Sequence, residues 1–367
     1  SEVCRPSAAA PPPPPETLVV LLHGLRGSHR DYDACVAELR RSARRPMLVC
    51  RPTCNDGKGL WAHTAQGTVH SATRAFGAIT DLLREPPDAR GVHRFVLVGH
   101  SFGGVYGRMV ASLLADAGIL VREEHDESAR AATEVEPETA AETETETETE
   151  TPTPPPPILQ KLTAEQFITF ASPHLGIRRP RNGPWWYWRR GFNNLFHLLA
   201  PVIGGFTGTE LLQEDEDKIL VKMSTEEKYL RALRLFKKRV CYGNVFLDMQ
   251  VPLCTSTMRT RNPYRAGGFR YDGEYPTIME LCEGAGVAES EAEEKDEAAA
   301  ETQSTAFSGD AKGGSTTRLM QLRLDALGWQ RVDCYLSPDA HNMILGNNWA
   351  FQQGRDVLRH LVLEVIQ

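Results

Sequence analysis

The stretch FVLVGHSFGGVYGRMVASLLADAG, residues 95–118, decides the fold. Its first six residues form an apolar run without polar alternation, as in a strand covered on both faces. From Phe102 onward the apolar residues recur at helical spacing. Between the two lies Gly99-His100-Ser101-Phe102-Gly103, a G-x-S-x-G at a strand-to-helix turn. That turn strains the serine backbone and lifts its hydroxyl above the sheet. The flanking glycines remove Cβ atoms that would collide as strand and helix pack. The helix N-terminus lends partial positive charge to an oxyanion forming there. Ser101 is the candidate nucleophile.

Outward from this turn the chain alternates. TLVVLL (17–22) precedes a helical pattern near 31–42, and MLVCR (47–51) precedes one near 67–84. FITFASP (167–173), RVCYGNVFL (239–247) after a helix near 225–237, and RVDCYL (331–336) continue the series, closed by a helix near 349–366. Strands alternating with helices predict a mostly parallel central sheet flanked by helices. With a serine elbow at a strand's C-terminal end, the expected class is the α/β-hydrolase fold.

The fold fixes the order in which the partners of Ser101 must follow: acid, then histidine. After Ser101 come His125, His174, His197, His341 and His360. His125 sits among acids, His174 and His197 precede any suitable acid strand, and His360 lies in a helical pattern. His341, in SPDAHNM after the last strand, is the expected general base. Asp248, closing RVCYGNVFLD, is the expected acid, with Asp272 and Asp339 as alternatives; Asp333 is expected to face a neighbouring strand. The oxyanion hole requires two backbone N–H groups. Phe102 supplies one, and Leu25 in LLHGLRGS the other, with Arg26 as the weaker choice. His23 and Gly24 shape that loop and, with His100, are grouped with the residues around the substrate or lid.

Two tracts interrupt the pattern. Residues 123–157 carry an ETETETETETPTPPPP repeat and 283–317 a second acidic, small-residue run. Neither has an apolar face to bury, so both read as disordered inserts. The expected organisation is a Pro-rich tail at 1–16 and one domain over 17–367, with a lid region at about 174–224. The 367 residues hold 48 acids and 41 bases, a net charge of −7. Residues 123–150 and 283–301 take 20 of the acids and two bases, leaving 28 acids against 39 bases, a body of +11. A basic body favours anionic surfaces such as lipid headgroups. No zinc-finger spacing, RNP-type strand or basic helix points to nucleic acid.

No apolar run reaches eighteen residues, and the first sixteen have no apolar signal core, so neither a membrane span nor a secretory signal is expected. The chain starts without Met, as a trimmed sequence would. Eight scattered cysteines without a CxxC read as reduced thiols in a cytoplasmic protein. No P-loop, GxGxxG or zinc-ligand spacing occurs, so no cofactor or metal is expected.

At LVVLLHGLRGS, VLVGHSFGGVYGR, FITFASPHLGIR, Thr207-Gly208, YGNVFLDMQVP-x-x-TS, AHNMILGN and GRDVLRHLV the sequence resembles the Putative serine esterase family, a lipase-like branch of the α/β hydrolases in eukaryotes. The resemblance covers about 17–366 outside the inserts. It implies Ser101, Asp248 and His341 as a triad and glycerolipid acyl esters as substrates. Within the lid, NGPWWYWRRGFNNLFHLLAPVIGGF (182–206) sets Trp185, Trp186 and Trp188 beside Arg189 and Arg190. Those residue types suit a headgroup anchor on a membrane or lipid-droplet surface. They equally suit packing over an acyl pocket, or a protein-binding patch. The expected activity is lipid-ester hydrolysis through an acyl-enzyme. An acyl thioesterase or protein deacylase is the enzyme alternative, and a non-catalytic lipid- or protein-binding scaffold the other. Oligomeric state is not legible.

Overall fold

Burial on the first strand alternates between two cores. In β1 (Thr17–Leu22), Leu18, Val20 and Leu22 face one apolar cluster while Val19 and Leu21 face another, and all five are essentially inaccessible. β3 (Arg94–His100) repeats the division, with Phe95 and Leu97 on the first face and Val96 and Val98 on the second. Each such side chain contributes about 1.5–3 kcal/mol on burial, so the two-sided run is a strong fold determinant. A computed structural model describes residues 14–57, 62–84, 91–123, 160–177, 201–202, 204–266, 268–281, 311–337, 339–346 and 353–366.

Among these residues the sheet has nine strands. The others are β2 (Met47–Cys50), β4 (Leu120–Val121), β5 (Leu162–Phe170), β6 (Lys238–Asn244), β7 (Phe269–Tyr271), β8 (Ile278–Leu281) and β9 (Gln330–Cys334). Their order is β2-β1-β3-β5-β6-β9-β8-β7, with β4 on β5. The sheet is parallel from β2 through β9 and antiparallel only at the β9-β8-β7 edge. After β1 the chain steps outward to β2 and returns on the other side to β3. The C-terminal ends of β1 and β3 therefore open a crevice at a topological switch point, where parallel sheets place their ligands.

Helices cover both faces. α2 (Thr68–Arg84) and α3 (Phe102–Asp116) pack on one side, joined by the helices Ile219–Thr225, Glu227–Leu235 and Ala311–Asp325. α1 (Asp33–Ser42), the turn Ala340–Met343 and the helix Gln353–His360 cover the other. The expected mostly parallel sheet flanked by helices is the architecture of the chain.

Several boundaries differ from expectation. β5 starts five residues before Phe167, because Leu162 and Ala164 continue the buried run. β6 ends at Asn244, and Val245–Asp248 leave the sheet as a loop with Leu247 at φ 61°. The second insert yields to structure sooner than 317: a helix runs from Ala311, and Thr317 is already buried. The last helix begins at Gln353 among the described residues, and its end, Leu361–Val365, widens into a π-turn. Leu211, Leu212, Ile219, Leu220 and Met223, inside the expected lid, are buried core.

The first tail up to 13, most of the first insert, and residues 282–310 lie outside the described residues. Cys35, Cys50, Cys54, Cys241 and Cys334 are free thiols. Burial pushes the Cys35 and Cys241 thiols up to about 12. No described helix is long and apolar enough to cross a membrane.

Candidate active site

Ser101 sits between the end of β3 and the start of α3 with φ 52° and ψ −127°, a region that L residues occupy only under constraint. Its amide donates to Phe170 O at 2.8 Å and its carbonyl accepts from Gly104 N at 3.1 Å. The neighbours make the turn possible by lacking side chains. A Cβ on Gly99 would stand 2.4 Å from Gly104 N, and one on Gly103 would stand 2.0 Å from Leu22 O.

Two other loops reach the hydroxyl. His341, in the turn after β9, places Nε2 2.9 Å from Ser101 Oγ and Nδ1 3.0 Å from Asp248 Oδ2. The two partner side chains are 4% and 1% exposed, so the pair is nearly dry. Asp248 also accepts from Asn244 Nδ2 at 2.8 Å and from the Gln250 and Val251 amides at 3.0 and 2.7 Å. Burial alone would raise its carboxyl. The bonds from His341, the Val251 amide and Asn244 outweigh burial and hold it below the usual carboxylate range. A carboxylate so fixed holds Nδ1 as the protonated nitrogen and leaves Nε2 to accept from Ser101.

The loop after β1 lies against the serine: a Cβ on Gly24 would come 2.8 Å from Ser101 Cβ. Arg26, at φ 59°, donates its amide to Thr64 Oγ1 at 2.8 Å. That amide is therefore committed, whereas no acceptor for the Leu25 amide is found among the described residues. Phe102, the first residue of α3, has an amide without an intrahelical acceptor. Among the described residues the Leu25 and Phe102 amides thus carry no hydrogen bond.

His23 and His100 do not face open solvent, being 1% and 5% exposed. Both act from behind the site. The His23 carbonyl accepts from Tyr106 OH at 3.1 Å, and the preceding Leu22 carbonyl from Tyr32 OH at 2.9 Å. His23 Nε2 lies 3.2 Å from Asp56 Oδ1 but lacks hydrogen-bond alignment. Asp56 instead takes the His29 amide at 2.8 Å and pairs with the His29 ring. Asp56, Thr64 and Asn244 were missed in the sequence, since no motif letter marks a residue whose partner is tens of positions away.

The other candidates have different employment. Asp272 caps its own turn through the Glu274 and Tyr275 amides. Asp339 accepts from Asn342. Asp333 is buried against Arg259 and Tyr264 OH, at 2.5 and 2.7 Å. His174 is fully buried and bonded to Thr169, and His360 to Tyr242 OH. Trp185, Trp186 and Trp188 lie outside the described residues. Among the described residues no cluster of three or more ligating groups could hold a metal ion.

The strained serine, its histidine and its acid now stand beside a result from sequence comparison. Residues 13–258 match the family described as Putative serine esterase (DUF676). The chain belongs to this family. It is accordingly an esterase-type α/β hydrolase. The family match includes Ser101 and Asp248 and ends before His341.

No curated protein matches the chain. Among solved structures it is similar to carboxyl esterase 2 of the mycorrhizal fungus Tuber melanosporum, at 9% identity and TM-score 0.40, over 95% of this chain and 76% of that one. A structure of the metagenome-derived lipolytic enzymes LipS and LipT matches at 11% identity and TM-score 0.35, over 66% and 77%. The RedJ thioesterase of prodiginine biosynthesis in Streptomyces coelicolor matches at 15% identity and TM-score 0.32, over 69% and 77%. None of these likenesses bears on substrate.

Proposed function

We propose that this family member hydrolyses carboxylic esters of lipid acyl chains through Ser101, His341 and Asp248. The carrying observation is the chain of contacts Ser101 Oγ–His341 Nε2 at 2.9 Å and His341 Nδ1–Asp248 Oδ2 at 3.0 Å. Ser101 Oγ attacks the acyl carbonyl as Nε2 takes its proton. The carbonyl electron pair moves onto oxygen, where the Leu25 and Phe102 amides meet it. Collapse expels the alcohol, which receives the proton from Nε2, and leaves an acyl-Ser101 ester. Water, deprotonated by the same nitrogen, then releases the acid. Asp248 stays ionised throughout and stabilises the imidazolium.

The lipid part of the reading rests on the basic body and on apolar surface beside the site. Leu247 and Met249, flanking Asp248, are 48% and 60% exposed. Val202 and Phe206 are also exposed, next to Gly204, whose Cβ position lies 3.4 Å from Leu25. Trp185, Trp186 and Trp188 with Arg189 and Arg190 would add headgroup contacts.

Turnover of p-nitrophenyl esters of increasing chain length, with and without anionic liposomes, tests the function. Long-chain turnover that liposomes enhance and Ser101→Ala abolishes supports the reading. Thioester turnover far exceeding oxoester turnover would instead make it a thioesterase. A fluorophosphonate probe that leaves Ser101 unlabelled would overturn the mechanism. Liposome co-sedimentation unchanged after Trp185, Trp186 and Trp188 become Ala would remove the anchor.

A further inference from the structure

The position before the nucleophile is free in a G-x-S-x-G turn, yet here it holds a buried histidine with one defined task. His100 Nε2 lies 2.8 Å from the backbone carbonyl of His341. A carbonyl only accepts, so this nitrogen carries the proton. The two rings stand 4.9 Å apart between centroids, inclined at 45°. Burial first, and the neighbouring His341 second, lower the pKa of His100 to about 3. It therefore remains a neutral donor at any pH where the protein would be assayed.

Asn244, at the end of β6 and 1% exposed, acts from the other side. Its carboxamide nitrogen has two hydrogens. One goes to Asp248 Oδ2 at 2.8 Å, the other to the Ala340 carbonyl at 3.2 Å. Consecutive carbonyls of the turn that bears the base are thus held by different strands, β3 and β6. Apolar packing of Ala340, Met343 and Ile344 seats this turn against the sheet. A rotation of this turn against the sheet is what would carry Nε2 away from Ser101 Oγ.

We propose that His100 and Asn244 are positioning residues, forming a two-point clamp that sets the turn Ala340–Met343 so that His341 meets Ser101 and Asp248 together. The clamp presupposes the Ser101–His341–Asp248 mechanism. Neither residue touches the substrate, so loss of the clamp acts on kcat and leaves KM near its original value. A misplacement of about 1 Å at a reacting group costs roughly 10²-fold.

The test measures kcat and KM on a soluble short-chain p-nitrophenyl ester for wild type, Ser101→Ala, His100→Leu, His100→Gln and Asn244→Ser, each with its thermal midpoint. His100→Leu is expected to lower kcat about 10²-fold with KM within about twofold. His100→Gln, whose amide can donate to the same carbonyl, is expected to recover at least about tenfold of that loss. Asn244→Ser is expected to lower kcat at similar KM. Ester turnover surviving in Ser101→Ala would overturn the underlying mechanism. An inactive Ser101→Ala beside a folded His100→Leu that keeps kcat within twofold would overturn the clamp alone. Should His100→Leu not fold, a folded Asn244→Ser with wild-type kcat, or a folded His100→Gln no better than 10²-fold impaired, would overturn it equally.

Discussion

Arg26 gives its backbone N–H to Thr64 Oγ1 at 2.8 Å, and through that bond the loop beside the nucleophile is tied to a segment 38 residues away. The tie continues outward. The Thr64 carbonyl accepts from Thr207 Oγ1 at 2.6 Å, and the same hydroxyl accepts from the Gly67 amide at 2.9 Å. The proposed oxyanion donor, Leu25, is therefore held by the helical stretch over 204–211 as well as by its own strand. Replacing Thr64 by Val keeps the shape and removes the acceptor. The stranded Arg26 amide costs about 1–3 kcal/mol. We expect kcat to fall about tenfold or more, on the scale of a weakened oxyanion donor, with KM little changed. Steady-state kinetics on a soluble ester checks it, and an unchanged kcat would show that the Leu25 loop needs no latch.

Two glycines around Ser101 are expected to fail differently. A Cβ on Gly103 would meet the Leu22 carbonyl oxygen at 2.0 Å and the His23 carbonyl oxygen at 2.8 Å, backbone groups that cannot swing aside as a side chain can. Gly103→Ala should be destabilised beyond the usual 1–3 kcal/mol or so of overpacking and give little soluble protein. On Gly24 the added atom would meet Ser101 Cβ at 2.8 Å, the His100 carbonyl oxygen at 3.3 Å and Ser101 Oγ at 3.4 Å, wider than the 2.0 Å at Gly103. Gly24→Ala should fold with a modest drop in thermal midpoint but lose most ester turnover and probe labelling. Equal loss of stability in both variants would refute this division.

Asp248 carries both a kinetic and a stability prediction. Its carboxyl titrates lower in the folded chain than in the unfolded one, because three sets of donors outweigh the burial that opposes them. Between those two values the unfolded chain binds more protons. The stabilisation is complete above the ordinary Asp range and disappears as pH falls through the folded value. Asp248→Asn should flatten that part of the urea-midpoint profile below about pH 4. The same change disfavours the tautomer that leaves Nε2 free, and a loss of roughly 10⁴-fold in kcat is expected. A variant with intact kcat would remove Asp248 from the mechanism.

The sheet was legible wherever burial is two-sided. TLVVLL and FVLVGH are apolar without interruption because helices cover both of their faces, and they appear within a residue of their expected bounds. The edge was not legible. Phe269, Arg270 and Tyr271 of β7 are all exposed, so no alternation marks the strand, and β4 has only two residues. The helix from Ala311 was hidden because its first turn, AKGG, has the composition of the insert before it. Within the site, chain order singled out Ser101, Asp248 and His341, whose side chains lie within hydrogen-bond distance of one another in sequence Ser101–His341–Asp248. Asn244, Thr64 and Asp56 were not, since each acts through contacts that only the folded chain creates. His100 was visible as a letter of the motif, but its bond spans 241 positions.

Glu210 gives a test of the outer part of the same latch. Its Oε2 accepts from the Thr68 amide at 2.8 Å and the Thr68 hydroxyl at 2.7 Å, joining the 204–211 stretch to the start of α2. Only 2% of Glu210 is exposed. Burial raises its carboxyl to about 7, against the lowering effect of both Thr68 bonds, and Asp215 and Asp217 add to the rise. From the ordinary Glu value to about 7 the folded chain holds a proton that the unfolded chain has released. Stability from this group therefore falls as pH rises through that window and levels off above it. Glu210→Gln keeps an acceptor for Thr68 and removes the ionisation, so its thermal midpoint should change less than that of wild type between about pH 5 and 8. If this carboxyl does latch the stretch beside Leu25, Glu210→Ala should lower kcat as well as stability. Parallel pH profiles for wild type and Glu210→Gln would show that the group titrates as it does in water and that burial does not govern it.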